Sequence, residues 1–157
     1  MNKKIYQLSD LPEDYQAKVN QIIDITKRQK ITEQLQDKIG NAERGMIFFK
    51  WYGQNSDTTL SVDDYHKPFN YIRTIGISIF NNKVSTAKHF GPFRPTLRVL
   101  YNINDIASTQ SYSEVGETIN RWTENKLFIF DDTLIHHSVN QTDEVRYCLF
   151  VDILRPS

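Results

Sequence analysis

The chain has 157 residues, with 19 basic and 19 acidic side chains that cancel to a formal net charge of +0 at pH 7; no basic surplus points to nucleic acid, and no polybasic tail points to a membrane surface. Cys148 stands alone, which excludes an intramolecular disulfide and a cysteine-rich zinc site. No apolar run approaches the ~20 residues that span a bilayer, and the first residues lead into a polar helix-like segment and not an apolar signal core, so the expectation is a soluble, cytoplasmic protein folded as one domain over residues 1–157.

In chain order, residues 10–40 read as helix. Asp10 precedes Leu11-Pro12-Glu13, which supplies an N-cap, a proline in the first turn and early negative charge. Leu11, Tyr15, Val19, Ile22, Ile23 and Ile25 recur at roughly helical spacing. A break is expected before or within residues 31–39, and Gly40-Asn41 supplies the stop. The helical region, residues 1–45, is expected to pack on a β core over 46–157. Within that core, residues 46–52, 71–80, 97–103, 126–130 and 145–154 are rich in β-branched and aromatic side chains and are separated by Gly, Asn, Asp and Ser clusters. Helix first and many short strands after it point to an antiparallel sandwich or barrel with helices on one face. Residues 104–120 hold few apolar side chains and read as a long surface loop.

Three strands alternate in an informative way. Ile75, Ile77 and Ile79 lie opposite Thr74, Gly76 and Ser78; Leu97, Val99, Tyr101 and Ile103 lie opposite Arg98, Leu100 and Asn102; and Tyr147, Leu149, Val151 and Ile153 lie opposite Arg146, Cys148, Phe150 and Asp152. The apolar faces would bury against the helical region. The mixed faces either line a pocket that collects Ser78, Arg98 and Arg146 or form the solvent side of an antiparallel sheet.

Toward the C-terminus, two strand-like runs bracket a polar segment that carries Asp131, Asp132, His136, His137 and Arg146, so two of the four histidines are adjacent. Carboxylates and imidazoles together suggest a metal, but one segment rarely supplies a whole site. A second cluster begins at His89-Phe90-Gly91 and continues to Arg98 on the following strand.

Taken together, these residues resemble the aspartyl/asparaginyl β-hydroxylase family of Fe(II)- and 2-oxoglutarate-dependent oxygenases. The resemblance runs from about Arg73 to Pro156. His89 and Gly91 match the family's H-x-G motif, and Ser78, eleven residues earlier, matches its cofactor serine. Arg98 matches an arginine nine residues after the histidine. Trp122 to Thr133 match a W-x-x-G-K-x-x-x-F-D-D-[ST] segment, with Asn125 in place of glycine. His136 matches the second metal histidine, Arg146 the arginine that holds the far carboxylate of 2-oxoglutarate, and Val151–Pro156 the closing strand. The chain departs from the pattern at Leu100, where the family often has a histidine, and at Thr96, where a substrate-contacting arginine can occur.

The resemblance implies a double-stranded β-helix, a cupin-like jelly roll that is mainly β with N-terminal helices. It implies Fe(II) and 2-oxoglutarate as cofactors, His89 and His136 as the metal ligands, and Ser78, Arg98 and Arg146 around the cofactor. With Gly91 lacking a side chain, water would take the place of the carboxylate in the usual two-histidine, one-carboxylate set. Asp132 would bond that water or orient His136, or else turn the chain as it leaves the strand. His137 is expected on a pocket wall or the surface. The implied reaction is hydroxylation, at a β-carbon, of an amino-acid residue that is free, carrier-bound or in a peptide, with dioxygen as co-substrate. Two alternatives use the same pocket: a two-histidine halogenase with halide in the vacant position, and a binding module that has lost turnover, which the leucine at 100 would suit.

Overall fold

The computed structural model describes residues 4–28, 44–51, 54–55, 72–81, 84–86, 88 and 96–156. Among these are eleven strands in two antiparallel sheets and one α-helix, which lies between the first strand and the other ten. The strands are β1 (Ile5–Tyr6), β2 (Arg44–Trp51), β3 (Gln54–Asn55), β4 (Ile72–Phe80), β5 (Val84–Ser85), β6 (Thr96–Asn102), β7 (Ser111–Val115), β8 (Thr118–Arg121), β9 (Leu127–Asp131), β10 (His136–Asn140) and β11 (Arg146–Leu154). The larger sheet has the order β1-β9-β6-β11-β4-β2-β3 and the smaller one β5-β10-β7-β8. From β4 onward the chain passes back and forth between them: β4, β6, β9 and β11 lie in the larger sheet, β5, β7, β8 and β10 in the smaller. This alternation makes the fold a double-stranded β-helix, or jelly roll.

The helix α1 (Glu13–Arg28) starts later than the sequence suggests. Asp10 belongs to a preceding 3-10 turn, Leu8–Asp10, where its carboxylate accepts the Gln7 N–H at 2.8 Å. A short acidic side chain can cap whichever turn its backbone reaches first, and here that is the 3-10 turn. The helical periodicity itself appears in the burial of Leu11, Val19, Ile22, Ile23 and Ile25. Residues 29–43, which hold the expected break and the Gly40-Asn41 stop, lie outside the described residues. Among the described residues, no helix is long and apolar enough to cross a membrane.

The main core forms between α1 and one face of the larger sheet. Ile75, Ile77, Ile79, Leu97, Val99, Leu149, Val151 and Ile153 are all at most 1% exposed and share one cluster with the apolar stripe of α1. The cross-strand register explains why these faces coincide: Ile77 lies opposite Leu149, and Val151 opposite both Ile75 and Val99. A second, smaller cluster, Ile106, Val115, Trp122, Phe128 and Phe130, sits between the two sheets.

The segment 104–120 is not a loop throughout. Residues 111–121 form the β7–β8 hairpin, turned at Gly116 with φ of +58°, a conformation glycine adopts without a Cβ clash. Ser111, Ser113 and Val115 point inward and are buried. The hairpin reads as loop because its inward positions carry hydroxyls, so the apolar alternation that marks a strand is missing.

Candidate active site

The mixed faces of β4, β6 and β11 turn toward the smaller sheet, and the register brings the predicted residues onto one wall. Ser78 is opposite Cys148, Arg146 opposite Phe80, and Arg98 opposite Asp152. Ser78 is 5% exposed and Arg146 fully buried. The facing wall is unusually polar for an interior. Ser113 and Ser138 share a hydrogen bond at 2.7 Å, and the Thr86 hydroxyl accepts the Ser138 N–H at 2.9 Å. The mixed faces are therefore largely buried between the two sheets and do not form a solvent-facing surface.

Arg146 is held rigidly. Its Nε donates to Asn102 Oδ1 at 2.7 Å, and its guanidinium carbon lies 4.9 Å from the Phe80 ring and 4.4 Å from the Trp122 ring, one from each sheet. The backbone around it is pinned as well. Asn104 accepts the Tyr147 N–H and donates to the Val145 carbonyl, while Asn140 donates to the Asn81 and Glu144 carbonyls. Beside Arg146, burial pushes the Cys148 thiol pKa up, against the opposing pull of Arg146 and Arg98, so the sulfur stays protonated.

His136 opens β10; it does not sit in a loop, and its buried ring lies 5.1 Å from the Phe130 ring. Its Nδ1 is 2.7 Å from the Leu134 carbonyl. A carbonyl only accepts, so Nδ1 carries a proton, and in the neutral ring Nε2 presents its lone pair. Nε2 lies 3.4 Å from Asp132 Oδ1, which is buried and makes no hydrogen bond. Two lone-pair-bearing atoms converging in a buried place suit a cation, and this chemistry fits the expected Fe(II). His89 and Gly91 lie outside the described residues. Among the described residues no group of three His, Cys, Asp or Glu side chains converges, so this part of the site offers one imidazole and one carboxylate.

Arg98 has a partner that sequence reading missed. Asp152 takes it in a two-pronged pair, Nε to Oδ1 at 2.9 Å and Nη2 to Oδ2 at 3.0 Å, while Nη1 lies 3.4 Å from Asp132 Oδ1 and the guanidinium lies 5.4 Å from the Phe150 ring. Burial opposes the charge, but the Asp152 carboxylate, with help from Asp132, outweighs it and holds the Arg98 pKa above its usual value. The alternation places Asp152 on the mixed face of its strand, as it does Arg98 on the neighbouring one, and the register sets the two directly opposite. Asp152, Arg98, Asp132 and His136 thus form one chain of contacts that crosses from the larger sheet to the smaller. Leu100 packs against the cluster between the sheets.

The neighbouring aspartate has a different role. Asp131 lies 2.9 Å from Arg155 Nη2, accepts from Thr133 N–H and hydroxyl, and through Arg155 connects to the Tyr6 hydroxyl. It fastens the chain's closing segment to β1. His137 faces outward, with Nδ1 3.9 Å from Glu114 and its ring edge-on to Tyr112.

Comparison with known proteins adds to this geometry. Residues 27–156 match the profile of a family described as Aspartyl/Asparaginyl beta-hydroxylase. The ornithine lipid ester-linked acyl 2-hydroxylase of Rhizobium tropici is 34% identical over 86 residues, which are 54% of this chain and 31% of that protein. The chain therefore spans about a third of this curated relative. Among solved structures, the cupin domain of an XRE family transcriptional regulator from Enterobacter cloacae aligns over 73% of this chain and 99% of its own, at 8% identity and a TM-score of 0.49. Salicylate 1,2-dioxygenase from Pseudaminobacter salicylatoxidans aligns over 85% of this chain and 33% of its own, at 9% identity and a TM-score of 0.47. At these values the jelly-roll assignment rests on the strand order described above.

Proposed function

This chain belongs to the aspartyl/asparaginyl β-hydroxylase family, and from that premise we propose that it is an Fe(II)- and 2-oxoglutarate-dependent hydroxylase. The observation that carries the reading is that the interior between the two sheets holds both a fully buried guanidinium, Arg146, oriented by Asn102, and a buried imidazole, His136, whose Nδ1 proton is fixed by a backbone carbonyl. Buried cations of this kind select planar anions, and arginine pairs a carboxylate through two parallel N–H groups. A dicarboxylate cofactor has one end for the metal and one for an arginine.

In this reading His136 and His89 hold the iron, and Arg146 with Ser78 holds the far carboxylate of 2-oxoglutarate. Iron with 2-oxoglutarate and dioxygen supplies the oxidation of an unactivated C–H bond, with succinate and carbon dioxide as co-products. The protein's own residues position and enclose. Leu134 fixes the His136 tautomer, and Asp132 Oδ1, on the Nε2 side of the ring, would bond a water there. Asp152 keeps Arg98 charged and in place, so Arg98 steadies Asp132 and presents only its Nη1 side to the cofactor. Phe128, Phe130 and Trp122 keep bulk water from the space between the sheets. The substrate is an amino-acid residue, free, carrier-bound or in a peptide; the name of the Rhizobium relative adds an acyl chain as the alternative.

The test is anaerobic calorimetric titration with Fe(II) and 2-oxoglutarate, followed by oxygen exposure with a panel of amino acids, peptides and acylated amino acids. Oxygen-dependent succinate that rises with one substrate class supports the proposal. Tight cofactor binding with no succinate under any condition would make the protein a binding module instead.

A further inference from the structure

Two buried hydrogen-bonding atoms make no hydrogen bond: the indole Nε1 of Trp122, the residue whose ring faces Arg146, and the hydroxyl oxygen of Ser111. Trp122 is 2% exposed and Ser111 0%. They are neighbours, since the Trp122 backbone N–H donates to the Ser111 carbonyl at 3.2 Å. The Trp122 ring lies against the Arg146 guanidinium at 4.4 Å. Buried polar atoms without partners are rare, and each one in a native structure asks for an explanation.

The chemistry of the two groups narrows that explanation. An indole N–H donates only, and a hydroxyl is able to donate. Donors gathered beside a buried cation attract neither another donor nor a second cation. They call for an acceptor that carries negative charge. A phenylalanine at 122 would give Arg146 the same aromatic face without an orphaned N–H. The indole therefore adds a donor at that spot and not only a surface to stack on.

We propose that Trp122 Nε1–H and Ser111 Oγ–H complete the anion subsite of Arg146 by donating to the distal carboxylate of the bound oxo-acid. The proposal rests on the reading of Arg146 given above and extends it. Arg146 and Ser78 reach the carboxylate from the larger sheet, whereas Ser111 on β7 and Trp122, directly after β8, reach it from the smaller one. The two sheets then grip one carboxylate between them, and the pocket discriminates dicarboxylate from monocarboxylate oxo-acids.

The experiment is anaerobic calorimetry on the full chain with Mn(II) in place of iron, comparing 2-oxoglutarate with 2-oxopentanoate, which lacks the distal carboxylate. Trp122→Phe keeps the ring over Arg146 and removes the donor, so it is expected to weaken 2-oxoglutarate binding about tenfold, the scale of one hydrogen bond to a charged group. Ser111→Ala is expected to weaken it by about threefold to tenfold. Neither change should alter 2-oxopentanoate binding. In the unsubstituted protein, the Trp122 indole ¹H–¹⁵N resonance, assigned with a Trp51→Phe variant, should move downfield with 2-oxoglutarate and stay in place with 2-oxopentanoate. This readout decides the matter even if Trp122→Phe fails to fold. If the unsubstituted protein binds 2-oxoglutarate while Trp122→Phe binds it equally well and the indole resonance is still, the assignment of Trp122 is overturned and the proposed function stands. If the unsubstituted protein does not bind 2-oxoglutarate at all, both fall.

Discussion

The two faces of the seven-stranded sheet are built from the same residues' neighbours and do opposite things. On the outer face, Ile77, Leu149 and Val151 pack under α1 with no polar demand. On the inner face, one residue away along each strand, Ser78, Arg98, Arg146 and Asp152 meet a second sheet whose wall is lined with hydroxyls. An antiparallel sheet of this kind usually gives its second face to water. Here that face is enclosed, so charged groups are retained in a place where charge is costly. The adjacent aspartates show the division at one point of the chain. Asp131 turns outward and ties Arg155 and Thr133 to the framework, whereas Asp132 turns inward toward Arg98 and His136. The lesson is that a period of two separates stability from chemistry, and that substitutions one residue apart should fail in different assays.

The largest effects should come from one residue on each face. Ile77→Ala leaves a cavity in the core and is expected to lower unfolding free energy by about 2–5 kcal/mol in a urea titration, with ligand affinity per folded molecule unchanged. Arg146→Met should do the reverse: 2-oxoglutarate affinity falls by about 2–5 kcal/mol, while the urea midpoint corresponds to a change within about 1 kcal/mol, because removing a buried charge offsets the lost Asn102 bond. If both substitutions lower stability equally and leave binding alike, the division between the faces is wrong.

A smaller effect sharpens the comparison by failing to respect it. A Cβ placed on Gly76 would lie 2.3 Å from Phe150 Cζ and 2.8 Å from the Ile47 carbonyl oxygen. Gly76→Ala must therefore displace the Phe150 ring, which supports Arg98. It is expected to cost about 1–3 kcal/mol of stability and to weaken cofactor binding as well. Chemical denaturation and calorimetry on the same preparation check both.

The smallest effect is pH-dependent and belongs to the outer face. Burial would raise the Asp131 pKa, but hydrogen bonds from Thr133 and the charge of Arg155 outweigh it and hold it below the usual value. A carboxyl with a depressed folded pKa stabilises fully above its unfolded value, near 3.9, and loses that contribution as pH falls through the folded one. Asp131→Asn should thus reduce stability by about 1–2 kcal/mol at pH 7 and flatten the acid limb of the stability curve. Thermal melts of the two proteins between pH 2 and 7 check this.

Much of this division was legible in the sequence wherever apolar residues alternated. In β4, β6 and β11 the isoleucines and valines announced the outer face, and the inner set of Ser78, Arg98 and Arg146 followed by parity. The β7–β8 hairpin was not legible, because Ser111, Ser113 and Asn120 give the inner positions the texture of a loop. Nor was the Arg98–Asp152 pair, since its members are far apart in the chain and register between strands is not written locally. Asn102 was seen on the mixed face, but its bond to Arg146 depends on a side-chain angle that alternation does not encode. The family resemblance supplied the roles of His136 and Asp132; residue type alone left Asp132 as either a turn former or a partner of the histidine.

The place of β11 has a consequence for biosynthesis. It lies between β6 and β4, at the middle of the larger sheet, yet it is the last of the described strands to leave the ribosome. Until it arrives, two long apolar strands have open edges facing each other across a gap, a state prone to pairing with other chains. The strand that fills the gap also carries Arg146 and Asp152. Nascent chains stalled before Arg146 should accordingly be bound by chaperones that recognise exposed strand edges, and cofactor binding should begin only when β11 is free to insert.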